Sequence, residues 1–355
     1  WVELTPALVS SWARVVPDAT LADEERPEAR AIAALHGEDR VVAVVFEVLA
    51  SRWGDSAPLR TRAWELLVRL GERERLADLV AAVPADTDDA MMSDLATGLR
   101  DLGVLPGNRE EMLWLRRLRE PARRAFWDEA RDALAGFSAQ RRLAMELRDV
   151  PVAVSVMRHR PDLADASNEQ LEQSLAERLR GARQVSREDV GGGRAVEDRL
   201  RDWRGRLTWG DLAAMHLALD AFAEPAVRRH LFDYARRDRD DRGTEYGGVL
   251  AMDERGRYEL LEFPPRMRRG DRRFVATQEM LDAAYTALFH FHLHVQEPSN
   301  AAYAGPGFGD RSYADAVRAN CLVFTSLSAD ELNVDYYRHG RVSVDLGTVR
   351  RPEPS

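Results

Sequence analysis

The chain has 355 residues, 45% of them hydrophobic, and sets 51 basic residues against 60 acidic ones for a formal charge of -9. That length suits two ordinary domains or one large one, and the apolar fraction can bury a sizeable core. The acidic balance argues against a nucleic-acid or anionic-membrane binder, which needs a cationic face, and the sequence contains no lysine. A P-loop lysine, a Schiff-base lysine, a Ser-Lys dyad and a self-supplied isopeptide acceptor are all excluded.

The chain opens at Trp1 rather than Met, as a processed or truncated piece of a longer protein would, and the sequence assigns no compartment. From about residue 24 to 150 apolar residues recur at three- and four-residue spacing, which predicts helices. They are expected at Val41–Arg52, Pro58–Leu70, Glu72–Val83, Asp88–Leu102, Arg109–Arg117, Pro121–Ala135 and Ala139–Arg148. The breaks between them fall at Gly54-Asp55, Gly71 and Pro106-Gly107. The longest apolar run, Val41 to Phe46, is far short of the ~20 residues that span a bilayer. Trp53, Trp64, Trp114 and Trp127 sit at helical spacing and read as core.

The run Asp55-Ser56-Ala57-Pro58-Leu59-Arg60-Thr61-Arg62-Ala63, followed by Leu66, Leu67, Leu70 and Gly71, resembles a HEAT-type repeat, with a weaker echo from Glu120. Copies at a fixed period are not distinct, and a non-repetitive helical bundle stays open. The expectation is an all-helical, HEAT-like scaffold over residues 1–165, able to present a surface to a protein partner.

A charged helical linker is expected over residues 166–206, broken at Gly191-Gly192-Gly193, and a second domain over 207–350. It opens on a capping box, Thr208 with Asp211, and continues through a helix at about Pro225 to Arg236 into a charge cluster, Arg236 to Arg242, that reads as a solvated helix end and loop. Strands are expected at Tyr246–Met252, Arg257–Phe263, Arg273–Ala276, Ala287–Gln296, Leu322–Leu327, Asn333–Arg338 and Val342–Leu346. Helices are expected near Thr277–Tyr285 and Arg311–Asn320, which gives an α+β domain with a mostly antiparallel or mixed sheet. Cys321, the single cysteine, rules out a disulfide within the chain and any CxxC motif, and reads as a small apolar strand residue. Asp330, Asp335 and Asp345 read as loop and strand-end residues.

His290, His292 and His294 alternate with Phe289, Phe291, Leu293 and Val295. On a strand this period places three imidazoles on one face and apolar groups on the other. Two such imidazoles can converge on one ion, for which zinc is the usual choice, with a carboxylate completing the set. A hydrogen-bonded or solvent-facing histidine row is the alternative.

The order of motifs is similar to that of the JAB/MPN/JAMM metalloproteases. Glu245-Tyr246-Gly247-Gly248-Val249-Leu250 stands for the Glu-x-x-Gly strand, His292 and His294 for His-x-His, and Gly305-Pro306-Gly307-Phe308-Gly309-Asp310 for the Pro-Ser-x-x-Asp helix start. The resemblance covers about residues 208 to 347 and leaves out the helical half. It implies that His292, His294 and Asp310 ligate Zn2+ with a water in the fourth position, and that Glu245 is the general base. The implied activity is hydrolysis of a peptide or isopeptide bond in a protein tail. The sequence departs from the pattern at Val295, where the family has proline, and in a longer interval before Asp310. Gly307 stands where the family's serine stabilises the oxyanion, a donor whose loss costs ~10²–10³ in rate, with Ser312 as a candidate replacement. The third histidine leaves His290 with His292 as a competing ligand pair and Asp315 as a competing carboxylate. The other reading is a catalytically degraded domain of this kind serving as a protein-interaction or assembly module.

Overall fold

A computed structural model describes residues 2–14, 22–50, 57–185, 198–253, 255–263, 270 and 274–353. Trp53, the Gly54-Asp55 break, the first two residues of the HEAT-like run, the Gly191-Gly192-Gly193 break and Arg273 lie outside the described residues. The chain divides into two units, residues 1–117 with 139–147 and residues 118–138 with 148–355. No helix among the described residues is long and apolar enough to cross a membrane.

The described part of the first unit is helical. It contains α1 (Thr5–Trp12), α2 (Pro27–His36), α3 (Val41–Ala50), α4 (Ala57–Arg69), α5 (Arg73–Ala81), α6 (Ala90–Leu102) and α7 (Arg109–Leu118). Next come α8 (Arg124–Leu134), which lies in the second unit, and α9 (Ala139–Ala144), which lies in the first. The three- and four-residue apolar spacing becomes one core of Val9, Trp12, Ile32, Val45, Leu49, Trp64, Leu67, Leu76 and Leu95. Trp64 is fully buried because its indole N–H donates to the Pro106 carbonyl at 2.7 Å, leaving no orphaned donor. Asp89 caps α6 by accepting from Met92 N, and Gly103 ends it in the left-handed region at φ 73.

The second unit is α+β. Its helices α10 (Asp149–His159), α11 (Asn168–Arg178), α12 (Trp209–Ala223) and α13 (Pro225–Asp240) precede β1 (Gly247–Met252), β2 (Tyr258–Glu262), α14 (Gln278–Ala284) and β3 (Phe289–His294). Then follow α15 (Phe308–Val317), β4 (Cys321–Ser328), β5 (Glu331–Arg338) and β6 (Val342–Arg350). The strands form one six-stranded sheet in the order β2-β1-β3-β4-β5-β6. Only β3 and β4 run parallel; every other neighbouring pair is antiparallel. α8 and α12 both pack on α10, which is buried along most of its length from Asp149 to Val156.

One face of the sheet is apolar. Phe291 and Phe324 meet there at 5.7 Å, and they pack on Tyr234 of α13 and Phe222 of α12 at 6.2 and 5.3 Å. The other face carries the histidine row, with α15 against β5 and with Met280 and Ala284 of α14 packed on Val249 and Ala251 of β1. Cys321 is buried in β4.

The structure corrects four sequence expectations. The helix expected to run through Arg148 stops at Ala144, and Arg148 instead enters a buried ion network. Residues 274–276 form no strand, because the Phe274 ring turns in to stack on His292 at 5.5 Å, above a glycine (Gly247) whose missing side chain makes the room. The charged run at 236–242 is the expected helix end and loop and is mostly solvated, except that α13 runs on to Asp240 and Asp238 is buried in it. Asp335 and Asp345 are not strand ends: they are buried mid-strand and directly opposite one another on β5 and β6. Burial pushes both carboxyls up, Asp345 to about 6, and the charge of Asp345 adds to the rise of Asp335.

The expected capping box of Thr208 and Asp211 opens α12, and Asp211 does more than cap. Its Oδ1 is ion-paired with Arg148 Nη1 at 2.9 Å and accepts from the Tyr336 hydroxyl and Arg338 Nε at 2.8 Å each. Its Oδ2 accepts from Arg338 Nη2 at 2.8 Å and Thr208 N at 2.9 Å. Burial favours the neutral acid, but the two guanidiniums outweigh it and hold Asp211 well below the usual carboxylate range. Asp211→Ala takes the shared carboxylate from two inward-facing cations, of which Arg148 keeps the more distant Asp149 at 3.6 Å, and is expected to cost about 3–5 kcal/mol in urea unfolding. Because the folded-state pKa is depressed, this stabilisation is present above the ordinary aspartate pKa and is lost as pH falls below it. The variant's stability should therefore fall less steeply with acid than the parent's.

Candidate metal centre

The histidine row forms because β3 is central in the sheet. Phe289, Phe291 and Leu293 take the apolar face, so His290, His292 and His294 must take the other. On that face Gly247 of β1 lies opposite His292, and β4 follows in parallel with Val323 beside His292 and Thr325 beside His294. A parallel neighbour cannot be reached by a tight turn. The chain therefore crosses over through α15, and Asp310 is in the first turn of that helix.

The crossover brings Asp310 onto two of the imidazoles. His292 Nε2 and His294 Nε2 are 3.1 Å apart, Asp310 Oδ1 is 3.2 Å from the first and Oδ2 is 3.6 Å from the second. A tetrahedral zinc at ~2.0–2.1 Å from each donor spaces them roughly 3.3–3.4 Å apart, so these residues fit the ion with little movement. Among the described residues this is the one group of at least three His, Cys, Asp or Glu side chains close enough to hold a metal.

Neighbouring groups fix each donor. His294 Nδ1 lies 3.2 Å from the Tyr303 carbonyl, which can only accept, so Nδ1 carries the proton and the Nε2 lone pair points at the cluster. His292 Nδ1 is 3.4 Å from the Tyr337 hydroxyl. Gly307 N–H donates to Asp310 Oδ2 at 2.6 Å. Burial works against charge on both His292 and Asp310, yet their mutual attraction prevails, raising the imidazole's pKa and lowering the carboxyl's.

Glu245 immediately precedes the residue that leads into β1; it is buried, and its Oε1 accepts from Gln296 Nε2 at 2.8 Å. Asn300 Nδ2 in turn donates to Gln296 Oε1 at 2.9 Å and to the His294 carbonyl at 3.2 Å. Glu245, His292, His294 and Asp310 line one cleft of about 880 Å³ together with Phe274, Tyr303, Phe308 and Tyr337. Gly248 keeps β2 close at the start of this strand, since a Cβ there would collide with the Leu261 carbonyl oxygen.

The competing candidates sit elsewhere. His290 is buried with Nδ1 2.7 Å from the Tyr313 hydroxyl, and burial lowers its pKa to about 4, so it is a neutral hydrogen-bonded histidine outside the donor group. Asp315 is also outside the group, and its Oδ1 accepts from Gly340 N at 3.1 Å. Ser312, the candidate oxyanion donor, gives its hydroxyl hydrogen bond to the Phe308 carbonyl at 3.0 Å. The sequence reading did not single out Gln296, Asn300, Tyr303, Phe274 or Tyr337. Gln296 alone carried a signal, as it extends the even-numbered row of His290, His292 and His294; the others arrive through loops and strand register.

No protein-family model, curated protein or solved structure matches this chain. The chemistry of the cluster rests on its own donors. Purified protein incubated with zinc is expected to hold about one ion per chain by elemental analysis, lost in His292→Ala and in Asp310→Ala. His290→Ala and Asp315→Ala should keep it.

Proposed function

We propose that the second unit is a zinc-dependent hydrolase of peptide or isopeptide bonds, similar in its site to the JAB/MPN/JAMM metalloproteases. The observation that carries this reading is the convergence of two imidazole nitrogens and a carboxylate beside a buried glutamate in one cleft. Three protein donors with room for a fourth partner suit catalytic rather than structural zinc. His292, His294 and Asp310 would hold the ion, which when bound supplies Lewis acidity to a water and to the scissile carbonyl.

Glu245 serves as the general base. It takes a proton from the attacking water as the new C–O bond forms and delivers it to the leaving nitrogen as the C–N bond breaks. Gln296 holds one of its oxygens, which orients the carboxylate without neutralising it. The first unit serves as a HEAT-like scaffold for a protein partner, a role that the helical build of its described residues supports.

One observation favours the second reading, a catalytically degraded domain that binds rather than cleaves. Gly307 offers no hydroxyl, and Ser312 spends its own on Phe308. Glu245→Gln separates the two. If the chain is a hydrolase, zinc-loaded wild type cleaves quenched-fluorescent peptide or isopeptide substrates, and the variant retains its zinc while turnover falls by about 10²–10⁴. No cleavage of either bond type by zinc-loaded wild type would leave the interaction module standing.

A further inference from the structure

Large apolar side chains gathered in one exposed patch mark an interaction site or ligand-binding groove, whereas one standing alone needs no explanation. Among the described residues of the second unit, the exposed ones are Tyr303, 52% exposed, and Phe308, 88% exposed. Both line the cleft that holds the candidate metal donors. Their placement is tied to those donors through the backbone. Tyr303 offers its carbonyl to His294 Nδ1, and Phe308 follows Gly307, whose N–H is bonded to Asp310. Phe308 also stands between two glycines, so no neighbouring side chain in the sequence covers its ring. Deeper in the same cleft the Phe274 ring stacks on His292 and extends the apolar surface to the donor cluster.

We propose that Phe308 and Tyr303 form an aromatic clamp that selects a polypeptide segment with a large apolar side chain next to the scissile amide. This rests on the hydrolase reading of the same site and adds its substrate class. The clamp is fixed to the backbone around the donors, so a side chain gripped there sets the adjacent amide against the cluster, and remote binding becomes orientation of the reacting bond. The two rings act on specificity and take no part in bond making.

The test uses the full chain loaded with zinc and carrying Glu245→Gln, so that binding is read without cleavage. Two fluorescently labelled hexapeptides are compared by anisotropy, both of glycine and serine, one with a single central phenylalanine. The phenylalanine peptide is expected to bind at least about tenfold tighter, the worth of burying one such ring. Adding Phe308→Ala and Tyr303→Ala should erase that preference while zinc content stays the same, because both rings are exposed and neither supplies a side-chain donor to the cluster. Equal affinity for the two peptides, or a preference that survives the double substitution, would overturn the clamp. Cleavage of both peptides by wild type at equal kcat/KM would overturn it and keep the hydrolase. A clamp-dependent preference with no cleavage by wild type of the phenylalanine peptide or of an isopeptide substrate would keep the aromatic grip on the apolar side chain and remove the hydrolase.

Discussion

The parallel pairing of β3 with β4 is the constraint from which the site follows. Had β4 returned antiparallel, a short hairpin would have sufficed and no crossover helix would carry a carboxylate over the histidine row. The parallel partner forces a crossover, the crossover needs a helix, and the start of that helix is where Asp310 meets His292 and His294. The same helix start favours a carboxylate, both through the Gly307 amide and through the positive end of the helix dipole. Topology thus brings together donors that strand periodicity alone leaves spread along one face.

The sheet must also tolerate a polar face under cover. It does so with fixed partners: Tyr313 for His290, Tyr337 and Tyr303 for the other two imidazoles, and Gln296 for Glu245. At the apolar side Asp211 plays the corresponding part, gathering Arg148, Tyr336 and Arg338 around one carboxylate. The two carboxylate arrangements have opposite character. Asp211 is surrounded by cations and stays ionised, whereas Asp335 and Asp345 face each other and resist ionisation. Their contributions to stability therefore slope in opposite directions and in different windows: Asp211's is lost as pH falls below the ordinary aspartate pKa, and that of the facing pair is lost as pH rises above it.

Much of this architecture was readable from the residues. Three- and four-residue spacing located the helices of the first unit from α3 onward, though not α1 or α2, and alternation located β1 to β6 to within a few residues, because local periodicity reports burial directly. The histidine alternation on β3 also placed three imidazoles on one face, and the helix start marked Asp310. What periodicity could not report was which face is covered, and by what. Asp335 and Asp345 look like surface residues one at a time; only the β5–β6 register sets them opposite each other in the interior. Phe274 sits in a segment that reads as strand by composition, and what it does instead depends on a glycine in another strand. Arg148 reads as the end of a helix until its partner, far along the chain, is known. Choosing among the three histidines likewise required the crossover, a non-local feature.

The three donors all fall within one continuous stretch, from the end of β3 to the first turn of α15. In a metal centre assembled from distant segments, drawing the ligands apart requires several parts of the fold to move together. Here the opening of a single connection would separate the carboxylate from the imidazoles while the sheet stayed intact. The lifetime of a bound ion would then be governed by local fluctuation of that connection, and the centre could be emptied or refilled without unfolding the protein.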